Sequence, residues 1–303
     1  MGDIHRYETQ PGSNQHGTTT SVLDVYRRLI HPLRTPPSDL NRLITLEKDP
    51  VLQTTVRHMA DRVAFAQEVL NFHPDRLQQQ ALNSNCKRLI LNCNRQWGKS
   101  TIAAIRALHK AWFWPDTTVL VLANAHPQAG ELLQKVRNFL TNLNTECKGD
   151  GIHRHSLKLP NGSRIIALPG GEKPARSYTS SLVIIDEAAI VIDPVHESVG
   201  PTLGTTNGDM ILISTPRGKR GAFYRAWAFG GESWERIFGP VDELSGNGRI
   251  ALDHLAQERR DHTSDYYAQE YLCEFLDRDS HVFNEDQLRK VFRHDLETWE
   301  ENH

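Results

Sequence analysis

Three short stretches carry residues whose types and spacing point to chemistry. The first is Cys93-Asn94-Arg95-Gln96-Trp97-Gly98-Lys99-Ser100-Thr101, which follows the apolar run 89–91 and opens a helical pattern. A strand that ends in a polar loop, with Gly-Lys-Ser at a helix start, is the arrangement of a nucleoside triphosphate site. Backbone N–H groups and the helix N-terminus face phosphates there, and the lysine reaches the terminal ones. The usual spacing has glycine where Cys93 stands, and a lone Gly-Lys-Ser also occurs by chance. In this reading Lys99 neutralises β- and γ-phosphate charge and the Ser100 hydroxyl ligates Mg²⁺.

The second stretch, 181–189, places four apolar residues before Asp186-Glu187. Two carboxylates then sit at the C-terminal end of a buried strand, where ligands of open α/β sheets collect. Asp186 would hold Mg²⁺ through water, and Glu187 would polarise the attacking water as a general base. Taken alone, the pair also reads as a strand ending in a solvated turn. Together with the upstream loop it is what a P-loop ATPase with a catalytic glutamate requires. Lys99 and the two carboxylates should therefore converge on one magnesium-bound triphosphate at adjacent strand ends.

The third stretch is the apolar run 210–213 followed by Ser214-Thr215-Pro216-Arg217-Gly218-Lys219-Arg220. Small hydroxyl residues at a strand end could sense the γ-phosphate and pass its loss to the basic loop beyond. A plain strand and turn, punctuated by Pro216 and Gly218, is the simpler alternative.

These residues need a frame. From residue 88 strands alternate with helices: strands over 88–93, 118–123, 182–185 and 210–213, helices over 99–112 and 127–140. The runs 156–159 and 164–168 flank Pro160-Asn161-Gly162-Ser163, a hairpin signal. Short apolar runs suit strands buried on both faces, so the fold class is α/β with a mostly parallel central sheet flanked by helices. Upstream, 21–30 and 49 to about 70 read as helical, the second opened by a cap residue and proline. Two further helical stretches lie near 252–260 and 264–271. The expected organisation is a disordered tail (1–20), a helical N-terminal subdomain (21–85), a P-loop core (86–240) and a closing segment (241–303).

Composition excludes several classes. The chain has 303 residues, 38% hydrophobic and 24% charged, and no apolar run long enough to span a bilayer. The polar first twenty residues do not read as a signal peptide, and Arg6 stands where a myristoylation signal wants Ser or Thr. Four scattered cysteines read as free thiols in a reducing compartment, and the histidines lack zinc-ligand spacing. A net charge of −2 does not by itself suggest nucleic acid. Local basic patches do exist, around Lys158–Arg164 with Arg154, Lys173 and Arg176, and at Arg217, Lys219 and Arg220. Exposed solvated loops are the plainer account of both.

The combination of Arg95-Gln96-Trp97-Gly98-Lys99-Ser100, Ile185-Asp186-Glu187-Ala188-Ala189 and Ser214-Thr215-Pro216-Arg217-Gly218, with Gly221, Phe223, Tyr224 and Trp227, resembles the ATPase domain of the phage terminase large subunit. The missing first glycine and the loop arginine are normal in that family. The segment from Phe72 to Gln78 resembles its adenine-recognising segment, which makes Gln78 the base reader and, with Asn94 to Thr101, part of the nucleotide site. The segment from Tyr267 to Phe275, followed by Val282-Phe283, resembles the part that closes the domain.

The resemblance implies a motor that couples ATP hydrolysis to double-stranded DNA translocation in the host bacterial cytoplasm. A portal protein, a small terminase subunit and a homo-oligomeric ring are its implied partners. Arg95 would be an arginine finger in cis, or else the partner of a nearby carboxylate. Arg176 would sense nucleotide or contact another subunit, and Ser214 and Thr215 would couple hydrolysis to movement. Such proteins usually continue into an RNase H-like nuclease domain, for which a chain ending at His303 leaves no room. DNA cutting is thus not expected, and a prophage remnant, half of a split gene or a trimmed piece are the open explanations. The rival functions are a helicase-like translocating ATPase and a degenerate nucleotide-binding remnant.

Overall fold

Seven strands form one sheet because their apolar runs are too short to bury themselves in any other way. β1 (Arg88–Cys93), β2 (Thr118–Ala123), β5 (Leu182–Asp186) and β6 (Asp209–Ser214) are buried along almost their whole length. That burial fits central strands covered on both faces. β3 (Ser156–Lys158), β4 (Arg164–Pro169) and β7 (Glu235–Gly239) complete the order β3-β4-β2-β5-β6-β1-β7. All neighbours are parallel except β3, which pairs antiparallel with β4 across the 160–163 turn. The structure, a computed structural model, describes residues 50–123, 126–143, 145, 147–149, 151, 155–169, 177–242 and 248–277. The expected tail (1–20), the helix at 21–30, Arg154, Lys173, Arg176 and the residues from 278 onward lie outside the described residues.

The chain divides into two units, Met1–Arg57 and His58–His303, with the boundary after Arg57. Helix α1 (Pro50–Ala60) crosses it. The single helix expected from 49 to 70 is interrupted at Asp61, whose side chain accepts from the backbone N–H groups of Val63 and Ala64 and starts a new turn. That turn then widens into a π-helical turn, Phe65–Val69. A carboxylate that can cap the backbone competes with helix continuation, which periodicity does not register.

Helix α2 (Arg76–Asn83) opens on a capping box in which Asp75 and Gln78 satisfy each other's backbone N–H groups. Helices α3 (Lys99–Phe113) and α4 (His126–Asn142) cover one part of the sheet. The sequence reading did not identify α5 (Asp193–Gly204), α6 (Gly221–Phe229) or β7. Val195, Val199, Leu203 and Phe223 from α5 and α6 join the core of β-strand residues such as Ile90, Leu120, Val183 and Leu212. β7 escaped because Glu235, Arg236 and Phe238 stay partly exposed on an edge strand, leaving Ile237 and Gly239 as its buried positions. Helices α7 (Leu252–Asp261) and α8 (Ser264–Glu270) follow. Among the described residues no helix is long and apolar enough to cross a membrane.

Arg106, on α3, ties two elements that bear on the site. Its guanidinium is buried and donates to the carbonyls of Leu82 and Ser84, both at 2.7 Å, at the C-terminal end of α2. Arg62 reaches the same carbonyls at 3.4 Å. Burial, aided by the Arg62 charge, brings the Arg106 pKa down to about 9. These bonds satisfy carbonyls that a helix end leaves without partners, and they fix α2 on the helix that begins at Lys99. Arg106→Met keeps the apolar stem and removes the donors. It should destabilise the fold by about 1–3 kcal/mol, the cost of leaving two buried carbonyls with only their longer bonds to Arg62, partly offset by relief of a buried charge. Denaturant unfolding measures this, and an unchanged midpoint would contradict the role given to Arg106.

Candidate active site

β1 ends at the buried Cys93, and the chain then turns through residues 94–98 into α3. The turn needs two residues in the left-handed region, Gln96 (φ 60°) and Gly98 (φ 94°). Gly98 is also tightly placed: a Cβ there would stand 2.8 Å from Gln78 Nε2. The loop is held from beneath by several elements. The Asn94 N–H donates to the Gly239 carbonyl at the end of β7 (2.9 Å), and the Arg95 N–H donates to the Glu270 carbonyl at the end of α8 (3.0 Å). Gln78 Nε2 donates to the Trp97 carbonyl at 2.7 Å. Gly239 allows the Trp97 indole and the Cys93 thiol to pack under the loop, since a Cβ would lie 2.7 Å from the indole nitrogen. Cys93, where the common pattern has glycine, is thus part of the floor. A helix N-terminus at the end of such a loop is an arrangement suited to phosphate.

At that point the sequence-derived residues meet. Lys99 is buried, and its ammonium donates to the carbonyls of Cys93 (3.4 Å) and Asn94 (3.1 Å) and to Thr215 Oγ1 (2.7 Å). Its surroundings are oxygens, not apolar walls. The Ser100 hydroxyl lies 3.4 Å from Asp186 Oδ2. Asp186 is buried, and its carboxyl pKa is pushed up to about 6, first by burial and then by the neighbouring Glu187, against the pull of Lys99. Glu187 takes the left-handed conformation (φ 52°), unusual for a non-glycine residue and costly unless its surroundings impose it. The Ala188 N–H holds the Ile213 carbonyl (3.0 Å), and Ser214 Oγ accepts from Ala189 N–H (3.2 Å) while lying 3.4 Å from Glu187 Oε2.

One expectation needs correction. The strands carrying Lys99 and Asp186 are not neighbours: β6 lies between β1 and β5. Register sets Asn92 opposite Ser214 and Asp186 opposite Ile213. Ser214 and Thr215 therefore stand between the phosphate loop and the carboxylates and touch both.

A cavity of about 550 Å³ opens above these groups. Residues 95–101, Lys135 and Glu187 line one side, and His254, Glu258, His262, Tyr266 and Tyr271 the other. A smaller one of about 200 Å³ shares Arg95 and Glu187 and includes Thr215, Arg217 and Glu270. Arg95 has the carboxylate partner left open above: its Nε donates to Glu270 Oε2 at 2.7 Å, which raises its pKa. Gln78 is 4% exposed, and without ligand both its amide atoms have partners, Nε2 the Trp97 carbonyl and Oε1 the Asp75 N–H (3.1 Å).

The basic residues do not form one surface. Lys158 and Arg164 pair in register at the ends of β3 and β4 remote from the phosphate loop, and Arg164 donates to Thr118 Oγ1 (3.3 Å). Arg217, Lys219 and Arg220 follow β6 at the loop's own end; Lys219 pairs with Asp277 at 2.6 Å, while Arg217 and Arg220 are exposed. Glu270 and the α7–α8 wall were missed as site residues. Their one signal was the resemblance of the segment that contains Glu270, because no spacing rule links residue 270 to residue 95.

The donor set fits a divalent cation bound with phosphates. Ser100 and a buried carboxylate with a raised pKa supply two oxygens and an uncompensated charge, and magnesium takes its other ligands from water and phosphate. No cluster of three or more His, Cys, Asp or Glu able to hold a metal occurs among the described residues.

Comparisons with known proteins agree in kind. The terminase large subunit of Escherichia phage T5 is 28% identical over 215 residues, covering 67% of this chain and 48% of that protein. The chain thus spans about half the length of that relative. The large terminase ATPase domain of Thermus phage P74-26 superposes with a TM-score of 0.60 at 22% identity, covering 69% of this chain and 97% of that one. A large terminase from a thermophilic bacteriophage, solved in complex with ATP-γ-S, superposes with a TM-score of 0.53 at 10% identity, over 66% and 52% of the two chains. At these identities the likeness concerns the fold. Residues 90–290 match the profile of the family described as terminase large subunit, T4likevirus-type, N-terminal, and the chain belongs to that family.

Proposed function

We propose that this chain is the ATP-hydrolysing motor domain of a DNA-packaging terminase and couples hydrolysis to translocation of double-stranded DNA. The observation that carries the proposal is one cavity lined by Lys99, Ser100 and Glu187, with Thr215 bonded to Lys99 and Asp186 beside the Ser100 hydroxyl. The ATP-γ-S complex of the thermophilic-phage terminase supports the choice of nucleotide.

In this reading the amides of Gly98, Lys99 and Ser100 bind the β- and γ-phosphates, and Lys99 leaves its carbonyl partners for them. Ser100 and Asp186 would hold Mg²⁺, which would supply charge neutralisation for the phosphates. Glu187 orients and polarises the attacking water for in-line displacement at the γ-phosphorus. When Lys99 turns to phosphate, Thr215 loses its 2.7 Å donor. The end of β6 then registers the nucleotide, and Arg217, Lys219 and Arg220 lie just beyond it. Contact of these cations with DNA would be electrostatic and blind to sequence, as a motor that must pass every base requires. A portal protein, a small terminase subunit and a ring of identical subunits are the partners this function needs.

Lys99→Ala should abolish phosphate release in a malachite-green assay. Glu187→Gln should keep nucleotide affinity within a few-fold yet slow turnover by roughly 10²–10⁴. Near-wild-type release from either variant would overturn these roles.

Asp186→Asn should lose Mg²⁺-dependent hydrolysis and raise the stability of the nucleotide-free protein. The Asp186 pKa, about 6 when folded, lies above its ordinary value of 3.8. Its ionised form therefore costs stability above pH 6, and the cost fades as pH falls toward 4. The gain of the Asn variant, on the order of 1–3 kcal/mol at pH 8, should shrink accordingly. Thermal melts at pH 8 and pH 4.5 check it; a pH-independent difference would contradict the assignment. DNA-stimulated hydrolysis should fall steeply between 50 and about 200 mM salt, and salt-independent stimulation would count against contact through Arg217–Arg220.

A further inference from the structure

Granted the nucleotide reading above, we infer that Lys135, on α4, is a further binding residue of the site and holds the α-phosphate of the bound nucleotide. The first observation is its place. Helix α4 packs against α3, and Lys135 lines the cavity of about 550 Å³ together with Lys99, Ser100 and Thr101 from the start of α3. No motif points to it, since it lies within an ordinary amphipathic helix and outside the three chemistry-bearing stretches.

The second observation is that its charge is unanswered. Lys135 is partly buried, yet its ammonium has neither an acid nor a hydrogen-bond acceptor among the described residues. The other two cations of the cavity are engaged: Lys99 holds two carbonyls and the Thr215 hydroxyl, and Arg95 holds Glu270. The acid of the α7–α8 wall is engaged as well. Glu258 accepts from the Tyr271 hydroxyl at 3.0 Å and lies 3.5 Å from His262 Nε2. A partly desolvated lysine without a counter-charge gains from any anion that enters the same cavity.

The third observation is the division of labour along the phosphates. The lysine of a loop of this kind reaches the β- and γ-phosphates, whereas the α-phosphate is met by backbone amides. Asp186 and Glu187 add negative charge on the side where magnesium and the attacking water belong. The α-phosphate is thus the group without a side-chain cation, and Lys135 is the cation without an anion.

The test is calorimetric titration of the protein, with Mg²⁺, using ADP and the imido analogue of ATP, which share the α-phosphate. Lys135→Met keeps the apolar stem and the helix propensity. It should weaken both ligands by roughly tenfold or more, the loss of one charge-assisted hydrogen bond, while Lys135→Arg restores most of the affinity. In steady-state hydrolysis the loss in kcat/KM should lie mostly in KM, as expected of a contact made equally in ground and transition states. Unchanged affinity in Lys135→Met would overturn the inference. So would a loss confined to the ATP analogue, which would place the lysine at the γ-phosphate. A loss that follows a lowered melting temperature and is not restored by arginine would also overturn it, as a packing effect. Failure of the unaltered protein to bind either nucleotide would overturn the nucleotide reading itself, a result distinct from loss of the Lys135 contact alone.

Discussion

An ammonium cannot lie buried without oxygens around it, and the site of this protein is organised about how Lys99 meets that constraint. Two of its partners are carbonyls of its own loop, and the third is a hydroxyl from another strand. The loop must therefore fold back over the lysine, and β6 must end where Thr215 can reach it. The left-handed Gln96 and Gly98 produce the first condition, and insertion of β6 between β1 and β5 produces the second. With a triphosphate bound, phosphate oxygens offer Lys99 stronger partners than a neutral hydroxyl. Under the proposed function, the same bond that lets the lysine be buried is the one that ligand would break at the end of β6.

The loop has little freedom of its own. Asn94, Arg95 and Trp97 are each tied by main chain or side chain to a different element: β7, α8 and α2. Asn92 adds a tie from β1 to the segment after α8 through the Cys273 carbonyl, at 2.9 Å. Under the proposed function, a loop held this way would need no reorganisation when charge develops on a γ-phosphate, which is where electrostatic catalysis derives most of its effect. Arg95 differs from its neighbours. Its backbone is fixed to Glu270 while its guanidinium, more than half exposed, holds the Glu270 carboxylate in a surface ion pair of small intrinsic strength. That contact joins the phosphate loop to the α7–α8 wall, so both ends of the cavity answer to one side chain.

The strands were legible because each is an apolar run bounded by turn residues; 88–93 and 118–123 match the structure end to end. Helices α3 and α4 were legible from periodicity and their opening residues. β7 was not, because an edge strand with Glu235, Arg236 and Phe238 partly exposed has no apolar run to notice. The break at Asp61 was hidden because side-chain capping overrides a continuing periodic pattern. Gln78 was legible as a residue worth naming, whereas its bond to the Trp97 carbonyl was not, because it depends on how α2 packs against the loop.

By itself the sequence determined which chemistry was available: a Gly-Lys-Ser at a helix start, a pair of carboxylates ending a buried strand, and hydroxyls ending another. Those are local facts, set by residue type and by the period of the apolar pattern. Only the tertiary structure decided that β6 lies between the two motif strands, that Glu270 holds Arg95, and that α7 and α8 wall the cavity. Strand order and packing partners depend on contacts between residues far apart in the chain. Whether an amide such as Gln78 is free or occupied depends on which backbone comes to rest beside it.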